Sequence, residues 1–585
     1  MNRQAELGSV SDPTPTLSGI PQRRGDFATS LDALDYAAQG ESGLNFYSVK
    51  GELTCALPYR ELRRAARSLA VRLLGSGLVA GQRVAIVAGT QPEFVITFFG
   101  CQYAGLVPIP LPLPTVFGGR AAYLAHIKRM IVEAKAAALF APASLIDWLS
   151  PLAEEAGLRV CGAFGGLSEE SSDQELPAVG QNAIAYLQFS SGSTRFPLGV
   201  VVHHRALMAN ASATLSHGLQ VRPGDRAISW LPLYHDMGLV GFLITPMAGQ
   251  ITVDLLATQD FARRPLLWLS LISERRCTIS YSPSFGYDLC VRRARMAQGL
   301  TLDLSSWRIA GIGGDMIRPA VLTGFADTFA AYGFRATTFL PSYGMAEATL
   351  AISFAPIGRG IETDTVHLDR LEQEGVAVIP SSPGQRARTV VLCGSPLPLH
   401  EVEIRGEDGR ALPDRKVGRI LARGPSVMRG YDGRTAETGA VLSADGWLDT
   451  GDLGYWLNGA LVITGRAKDL IIINGRNIWP QDLEWTIEQA VPEVRTGDIA
   501  AFSVEEDGQE VLILAAEARA TSERGARETL VATIGDTLRA QHGLDGRVVL
   551  LPINTLPYTS SGKLSRSATR LRYLAGRLAE AADPA

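Results

Sequence analysis

Four short runs of valine, isoleucine and other apolar residues set the framework of the chain: RVAIVAG from Arg83, AALFAP from Ala137, AIAYLQFSS from Ala183 and WRIAGIGG from Trp307. Helical patterns separate them. Apolar runs of this kind suit strands buried on both faces of parallel sheets, and parallel neighbours need a crossover connection, usually a helix. An α/β architecture is therefore the first expectation. From about Thr389 the rhythm changes: TVVLCG, EVEIRG, GRILARG and ALVITG follow closely, divided by Gly, Pro and Asp turns. That spacing predicts a small antiparallel sheet or barrel. From about Ala467 strands (IAAFSV, EVLILAAEA, RVVLLPI) mix with amphipathic helices such as Arg524 to Gln541, enough to bury a separate α+β core.

A chain of 585 residues exceeds what one hydrophobic core organises, so several domains are expected. Residues 1–26, polar and Pro/Ser-containing, read as a flexible leader without the apolar core of a signal peptide, and Ser30 is a candidate N-cap for a helix beginning near Leu31. A hydrophobic share of 46% against 19% charged excludes wholesale disorder, and a net charge of -4 lacks the basic excess of a nucleic-acid binder. The six cysteines are scattered, with no CxxC pair and no metal-ligand spacing, and read as reduced. The most apolar stretch, FVITFFGCQYAGLVPIPLPLP from Phe94, is broken by Gly and Pro short of a membrane span. A cytoplasmic protein is expected.

Six segments carry the chemistry. Ser190-Ser191-Gly192-Ser193-Thr194-Arg195-Phe196-Pro197-Leu198-Gly199 follows an apolar strand, and a loop of small hydroxyl residues lets backbone N–H groups approach a polyphosphate. It lacks the GK[ST] of P-loop NTPases. Trp230-Leu231-Pro232-Leu233-Tyr234-His235-Asp236-Met237-Gly238 sets an imidazole among aromatics, where it could steer a carboxylate at the mouth of an apolar pocket. Ser342-Tyr343-Gly344-Met345-Ala346-Glu347 offers a stacking face for a purine and a hard oxygen ligand for Mg²⁺. Gly446-Trp447-Leu448-Asp449-Thr450-Gly451-Asp452 places a carboxylate in a Gly-rich turn suited to ribose hydroxyls. Thr464-Gly465-Arg466-Ala467-Lys468-Asp469 falls where the antiparallel sheet gives way to the last domain, a candidate hinge. Thr559-Ser560-Ser561-Gly562-Lys563 ends in one lysine on a Ser/Gly turn. Singly, each has an ordinary structural reading: a polar turn, a satisfied histidine, an acidic helix start, a turn aspartate, a solvated lysine.

In order, the six resemble the core motifs of the adenylate-forming superfamily of acyl-CoA synthetases, luciferase and nonribosomal-peptide adenylation domains, from about Asp26 to Tyr573. Within it the chain looks like a fatty acyl-AMP ligase. GSTRFPLG stands where CoA ligases usually carry GSTGxPKG, so Arg195 and Leu198 replace a glycine and a lysine. WLPLYHDMGLVG and KDLIIINGRNIWPQDLE are close to the fatty acyl-AMP ligase forms. Extra residues including VHLDRLEQEGVAVIP from Val366 fall at that family's insertion, about 356–385.

The resemblance implies an N-terminal adenylation domain over 27–466, with two αβ-layered sheets and an antiparallel β subdomain over about 388–466, and a mobile α+β lid over 467–585. It implies activation of a fatty acid with ATP and Mg²⁺, and transfer of the acyl group to a holo acyl carrier protein; the alternative is a long- or medium-chain acyl-CoA synthetase. Ser191, Gly192, Ser193 and Thr194 would hold the phosphates, with Thr194 and Glu347 near Mg²⁺. Gly313, Gly314, Tyr343, Gly344 and Met345 would flank adenine, and Asp452 would bind the ribose. Arg466, Lys563 and His235 would act at the α-phosphate and acyl carboxylate, with Lys468 at the hinge. Trp230, Tyr234, Asp236, Met237, Gly238 and Phe285 are the expected acyl-pocket residues. Asp315-Met316 replaces the Glu-Pro of many relatives, so Asp315 takes no assigned contact.

Overall fold

The Val/Ile runs pair as parallel strands, as their two-sided apolar character requires. In the structure, a computed structural model describing residues 19–114, 119–167, 175–190, 197–297, 299–473, 475–506, 509–518, 524–559 and 563–578, Ile279–Ser282 lies beside Ile309–Ile312 and Arg226–Ser229. Thr252–Leu256 and Gly43–Tyr47 extend this parallel sheet on one side and Phe339–Gly344 on the other. Antiparallel edges complete nine strands: Leu53–Pro58 at one end, Ala351–Phe354 and Ser395–Pro396 at the other. A second sheet is wholly parallel, in the order Val107–Leu111, Arg83–Val87, Ala136–Ala141, Val160–Ala163.

One run departs from the pattern. Ile184–Phe189 pairs antiparallel with Gly199–His203, and Ser190 N–H donates to the Leu198 carbonyl at 2.9 Å, closing the neck of a hairpin. Ser191, Gly192, Ser193, Thr194, Arg195 and Phe196 lie outside the described residues. The expected leader is also shortened. Residues 1–18 are outside the described part, but Gln22 donates to the Gly249 carbonyl, Arg23 N–H to Gln250 Oε1 at 2.7 Å, and Arg24 to the Val221 carbonyl. The Arg23 guanidinium also lies 3.9 Å from the Phe27 ring centroid, a cation–π contact that fixes the approach to the first helix. That helix, Ser30–Ala37, is capped by Thr29 rather than Ser30, because Asp32 completes a reciprocal capping box with it.

The antiparallel subdomain has four strands: Glu401–Arg405, Gly418–Arg423, Leu448–Leu457 and Ala460–Arg466. The run expected to open it near residue 388 meets it only at its end, where Leu392 bridges Val462 and Cys393 N–H donates to the Leu461 carbonyl at 2.8 Å. Ala387–Val391 pairs with Thr363–His367, and the helix Leu368–Glu374 lies between them, so the inserted segment is a hairpin carrying a helix. Beyond Ala467 a hairpin (Ile471–Ile473, Arg476–Ile478) precedes the sheet Ile499–Glu506, Gln509–Glu517, Arg547–Leu551, with helices Pro480–Ala490, Arg524–His542 and Arg566–Leu574 around it. Apolar clusters on both faces of this sheet give the segment a core of its own, as its patterning suggested. A further cluster unites three parts of the chain: Val366 and Leu371 of the insertion, Tyr455 and Val462 of the subdomain, and Trp479 at the start of the last segment. All six cysteines are unpaired. Among the described residues no helix is long and apolar enough to cross a membrane.

Candidate functional site

At the C-terminal ends of the parallel strands, where open α/β sheets place their ligands, lies a cavity of about 700 Å³. Its outer end is polar. Strand pairing sets Asp452 opposite Arg466, with Arg466 Nε 3.4 Å from Asp452 Oδ1. Tyr343 Oη donates to Asp452 Oδ2 at 2.7 Å. Burial pushes the Asp452 carboxyl above its ordinary range, while Arg466, Tyr343 and Lys563 pull it back. Asp452 stands within the long strand Leu448–Leu457 and not in the Gly-rich turn its sequence suggested; Gly451 falls at an irregularity in the pairing with Gly418–Arg423 and Gly454 at one with Ala460–Arg466.

Glu347 sits on a short 3₁₀ turn, Ala346–Ala348, after the strand that carries Tyr343 and Gly344. It is nearly buried, and that burial raises its pKa, opposed by the Tyr431 hydroxyl donating to Oε1 at 2.9 Å. Tyr431 was not among the sequence candidates. Met345 N–H donates to the Leu350 carbonyl at 2.8 Å, folding the segment behind Glu347. Gly313 lies beneath Ser342, and Gly314, at φ +78°, takes a left-handed conformation that brings it against Met237.

His235 caps the short helix Asp236–Leu239, and its Nδ1 lies 2.6 Å from Asp236 Oδ1, which also accepts Met237 N–H at 2.7 Å. Burial raises the Asp236 pKa, but the His235 ring and Lys563 outweigh it and the net shift is downward. Lys563 enters from the other side. Thr559 N–H donates to the Lys563 carbonyl at 2.7 Å and Lys563 N–H to Thr559 Oγ1 at 3.2 Å, a turn that presents the lysine to the cavity. Burial lowers its pKa, and the facing Asp315, Asp236 and Asp452 resist that shift. Asp315, left without a contact by the sequence, is thus among the carboxylates nearest this lysine in its charge environment. Lys468, on the turn Ala467–Asp469 between the subdomain and the last segment, also lines the cavity, its pKa lowered by burial to about 8. Within the last segment Arg566 is held 2.6 Å from Glu484 and 3.5 Å from Asp469.

The inner end is apolar, lined by Leu215, Phe242, Ile251, Ile279, Tyr281 and Phe354 among others. It runs between parallel strands and two π-helical turns, Thr214–Gly218 and Val240–Ile244. Such turns recur at functional sites because each widens a helix by one residue. Of the residues expected to line an acyl pocket, Asp236 and Met237 do so at its mouth. Trp230, Tyr234, Gly238 and Phe285 do not. Ala227 faces the cavity, and the alternation of the strand sends Ile228 and, just past its end, Trp230 the other way. The Trp230 ring stacks on Phe261 at 3.8 Å and meets Phe285 edge-on, a packing cluster. The Tyr234 carbonyl accepts the Gln188 amide at 2.7 Å, and a Cβ at Gly238 would come 2.2 Å from the Pro232 carbonyl. The missed residue with a readable signal was Tyr281, at the C-terminal end of a parallel strand.

The AMP-binding enzyme family matches residues 45–432. A protein described as a putative acyl-CoA synthetase from Caulobacter vibrioides is 51% identical over 96% of this chain and 98% of its own. The medium-chain-fatty-acid–[acyl-carrier-protein] ligase JamA of Moorena producens is 34% identical over 94% of this chain and 96% of its own. A chain from structural and functional studies of fatty acyl-adenylate ligases of E. coli and L. pneumophila superposes with a TM-score of 0.91 at 44% identity, covering 96% of this chain and 100% of that one.

Proposed function

The chain belongs to the AMP-binding enzyme family, and from that premise we propose that it is a fatty acyl-AMP ligase, joining a fatty acid to ATP as acyl-adenylate with release of pyrophosphate. The carrying observation is one cavity with Lys563, Arg466, Asp452 and Glu347 at its polar end and a carbon-lined tunnel at the other. A carboxylate is a poor acyl donor because its charge repels nucleophiles and oxide is a poor leaving group. Attack of a carboxylate oxygen on the α-phosphorus expels pyrophosphate and leaves AMP as the departing group. Two anions must meet, so positioning and electrostatics carry the rate.

In this reading Lys563 bridges the carboxylate and α-phosphate, and Arg466 contacts the phosphate or ribose from the domain junction. His235, held by Asp236, orients the carboxylate at the tunnel mouth. Asp452 accepts the ribose hydroxyls, and Tyr343 flanks adenine with Gly313, Gly314, Gly344 and Met345 close by. The loop Ser191, Gly192, Ser193 and Thr194 grips the pyrophosphate. Mg²⁺ fits the donor set. Among the described residues no cluster of three acidic or metal-ligating side chains could cage an ion, whereas one buried carboxylate, Glu347, suits an ion held chiefly by phosphates. Glu347 and Thr194 would hold it, and when bound it neutralises charge on the leaving pyrophosphate. Lys468 is the hinge about which residues 467–585 open and close. A cytoplasmic location, where six unpaired thiols stay reduced, belongs to the same reading.

The acyl group is then handed to the phosphopantetheine of an acyl carrier protein. Supporting this is the fastening of the insertion to the last domain: Glu372 receives Arg476 at 2.6 Å, Arg386 donates to the Gln541 carbonyl at 2.9 Å, and Arg388 lies 3.0 Å from Asp482. A domain so tethered resists the second orientation that would admit CoA. The C. vibrioides relative described as an acyl-CoA synthetase favours the other reading. Fatty-acid-dependent ATP–pyrophosphate exchange, followed by mass spectrometry with CoA or a holo carrier protein, tests both steps. Acid-independent exchange refutes adenylation, and rapid acyl-CoA formation refutes the carrier endpoint.

A further inference from the structure

The inner end of the tunnel stops against a part of the chain that the chemistry does not use. Leu219, Ala227, Ile251 and Ile279 line it there. Ala227 and Ile279 stand at the start of the strands Arg226–Ser229 and Ile279–Ser282, and Ile251 just before Thr252–Leu256, so the floor is at the edge of the sheet opposite the polar end. Behind this floor passes the run that precedes the first helix. Gln22 donates its amide to the Gly249 carbonyl at 3.3 Å, Arg23 N–H donates to Gln250 Oε1 at 2.7 Å, and Arg24 donates to the Val221 carbonyl at 3.2 Å. Tyr36 of that helix holds the run from its other side, donating to the Pro21 carbonyl at 2.8 Å. The acceptors flank the floor: Gly249 and Gln250 lead into Ile251, and Val221 lies two residues after Leu219.

Gly25, buried within this run, makes the closest approach. At φ +74° it takes a left-handed conformation, and a Cβ there would come 3.1 Å from the Ser212 backbone and 3.2 Å from Leu215 Cδ1. Leu215 lines the tunnel, with Gly25 on one side and Gly249 on the other, where a Cβ would come 2.7 Å from Leu215 Cδ2. A side chain packed that closely keeps its position only while its neighbours keep theirs. We propose that residues 21–25 are the stop of the acyl tunnel, a strap that fixes Leu215 and Ile251 from behind and so sets the longest acid the enzyme activates. This rests on the fatty acyl-AMP ligase reading above and assigns the length limit to a segment outside the tunnel wall. With the strap displaced, Leu215 can turn outward, and the methylenes of a longer acid that enter the vacated space offset its exposure.

The test measures kcat/KM for acid-dependent pyrophosphate release over a ladder of straight-chain saturated acids of increasing length. In the wild-type enzyme it should rise to one length and then fall. Two strap variants follow: Gln22→Ala combined with Arg24→Ala, which removes both side-chain anchors, and Gly25→Leu, which drives the run off Leu215. In each, kcat/KM for acids just beyond the wild-type optimum, relative to the optimum itself, should rise by about ten-fold, the effect of roughly two further buried methylenes. Ile251→Ala, which lowers the floor directly, gives the shift expected of a deeper tunnel. An unchanged profile in the strap variants overturns the proposal, as does a uniform loss at every length or a wild-type ladder without a decline. Such profiles refute this inference alone, whereas no adenylation of any acid refutes the underlying reading and this one with it. Gln22 and Arg24 are not buried, so the double variant decides the question even if Gly25→Leu fails to fold.

Discussion

The two ends of the cavity are built in opposite ways. The inner end is cut from one body: strands Arg226–Ser229 and Ile279–Ser282 and two π turns, all within the large N-terminal core. The outer end is assembled from segments far apart in the chain, with Lys563 and Arg566 brought in by the last domain, which Glu488 ties to Arg318 of the N-terminal body at 2.6 Å. Packed apolar walls select by shape at all times, whereas a charge delivered by a separate domain is present only when that domain is closed. Acid recognition and catalysis should therefore be separable by mutation.

The largest expected effect is at the assembled end. Lys563→Ala should lower kcat for adenylation by roughly a hundred- to a thousand-fold. Its fatty-acid KM should hardly move, and an equal loss in acid binding would break the comparison. At the fixed end, a side chain at Gly241 meets only Leu350, at 3.4 Å, and otherwise projects into the cavity. Gly241→Leu should plug the tunnel, cutting kcat/KM for long acids by on the order of ten- to a hundred-fold relative to short ones. A uniform loss across chain lengths would show that the inner end yields.

Loosening the tether sharpens the contrast. Glu372→Ala frees Arg476 and leaves the tunnel intact, so acyl-CoA formation should rise about ten-fold over wild type while chain-length preference holds. The smallest effect concerns His542, which joins Arg386 at 3.3 Å and Thr486 at 2.8 Å where insertion and last domain meet. Burial, then Arg386 and Arg476, lower its pKa to about 4. A base so depressed contributes its stability in full above its free value near 6.5 and loses it as pH falls towards 4, because the unfolded state then binds the extra proton. Melting temperatures of wild type and His542→Gln should differ by roughly one to three degrees at pH 7.5 and converge by pH 5. The nearby Asp482, raised to about 6 by burial, titrates in both proteins and cancels from the difference.

The polar end was legible in the sequence because its chemistry fixes residue types in unbroken local motifs. Tyr343, Glu347, Asp452, Arg466 and Lys563 all line the cavity, Asp452 and Arg466 as partners on paired strands. The apolar end was not, because its wall is written in residues that any core would use, drawn from distant segments. Trp230 was chosen for proximity to His235, yet strand parity turns it outward into a packing cluster with Phe261 and Phe285, the latter from the helix Ser284–Ala294. The π turns leave no periodic signature, since one extra residue in a short apolar helix shifts its face without changing its composition. Sheet membership failed locally for a similar reason: TVVLCG alternates as well as its neighbours, yet its first half pairs with Thr363–His367 and only Leu392, Cys393 and Gly394 reach the subdomain's edge.

Trp479 carries a mechanical consequence. Its indole is 2% exposed, wedged between insertion and subdomain while its backbone already belongs to the cap of the last domain's first helix, with Arg388 over its ring at 4.8 Å. Withdrawing such a ring into water costs roughly 4–6 kcal/mol. Rotation that keeps the ring seated avoids that cost, while translation meets it in full. If the last domain pivots as proposed, the residue would act as a bearing that permits rotation and resists drift, so that each closure would return Lys563 along the same arc to the same carboxylate.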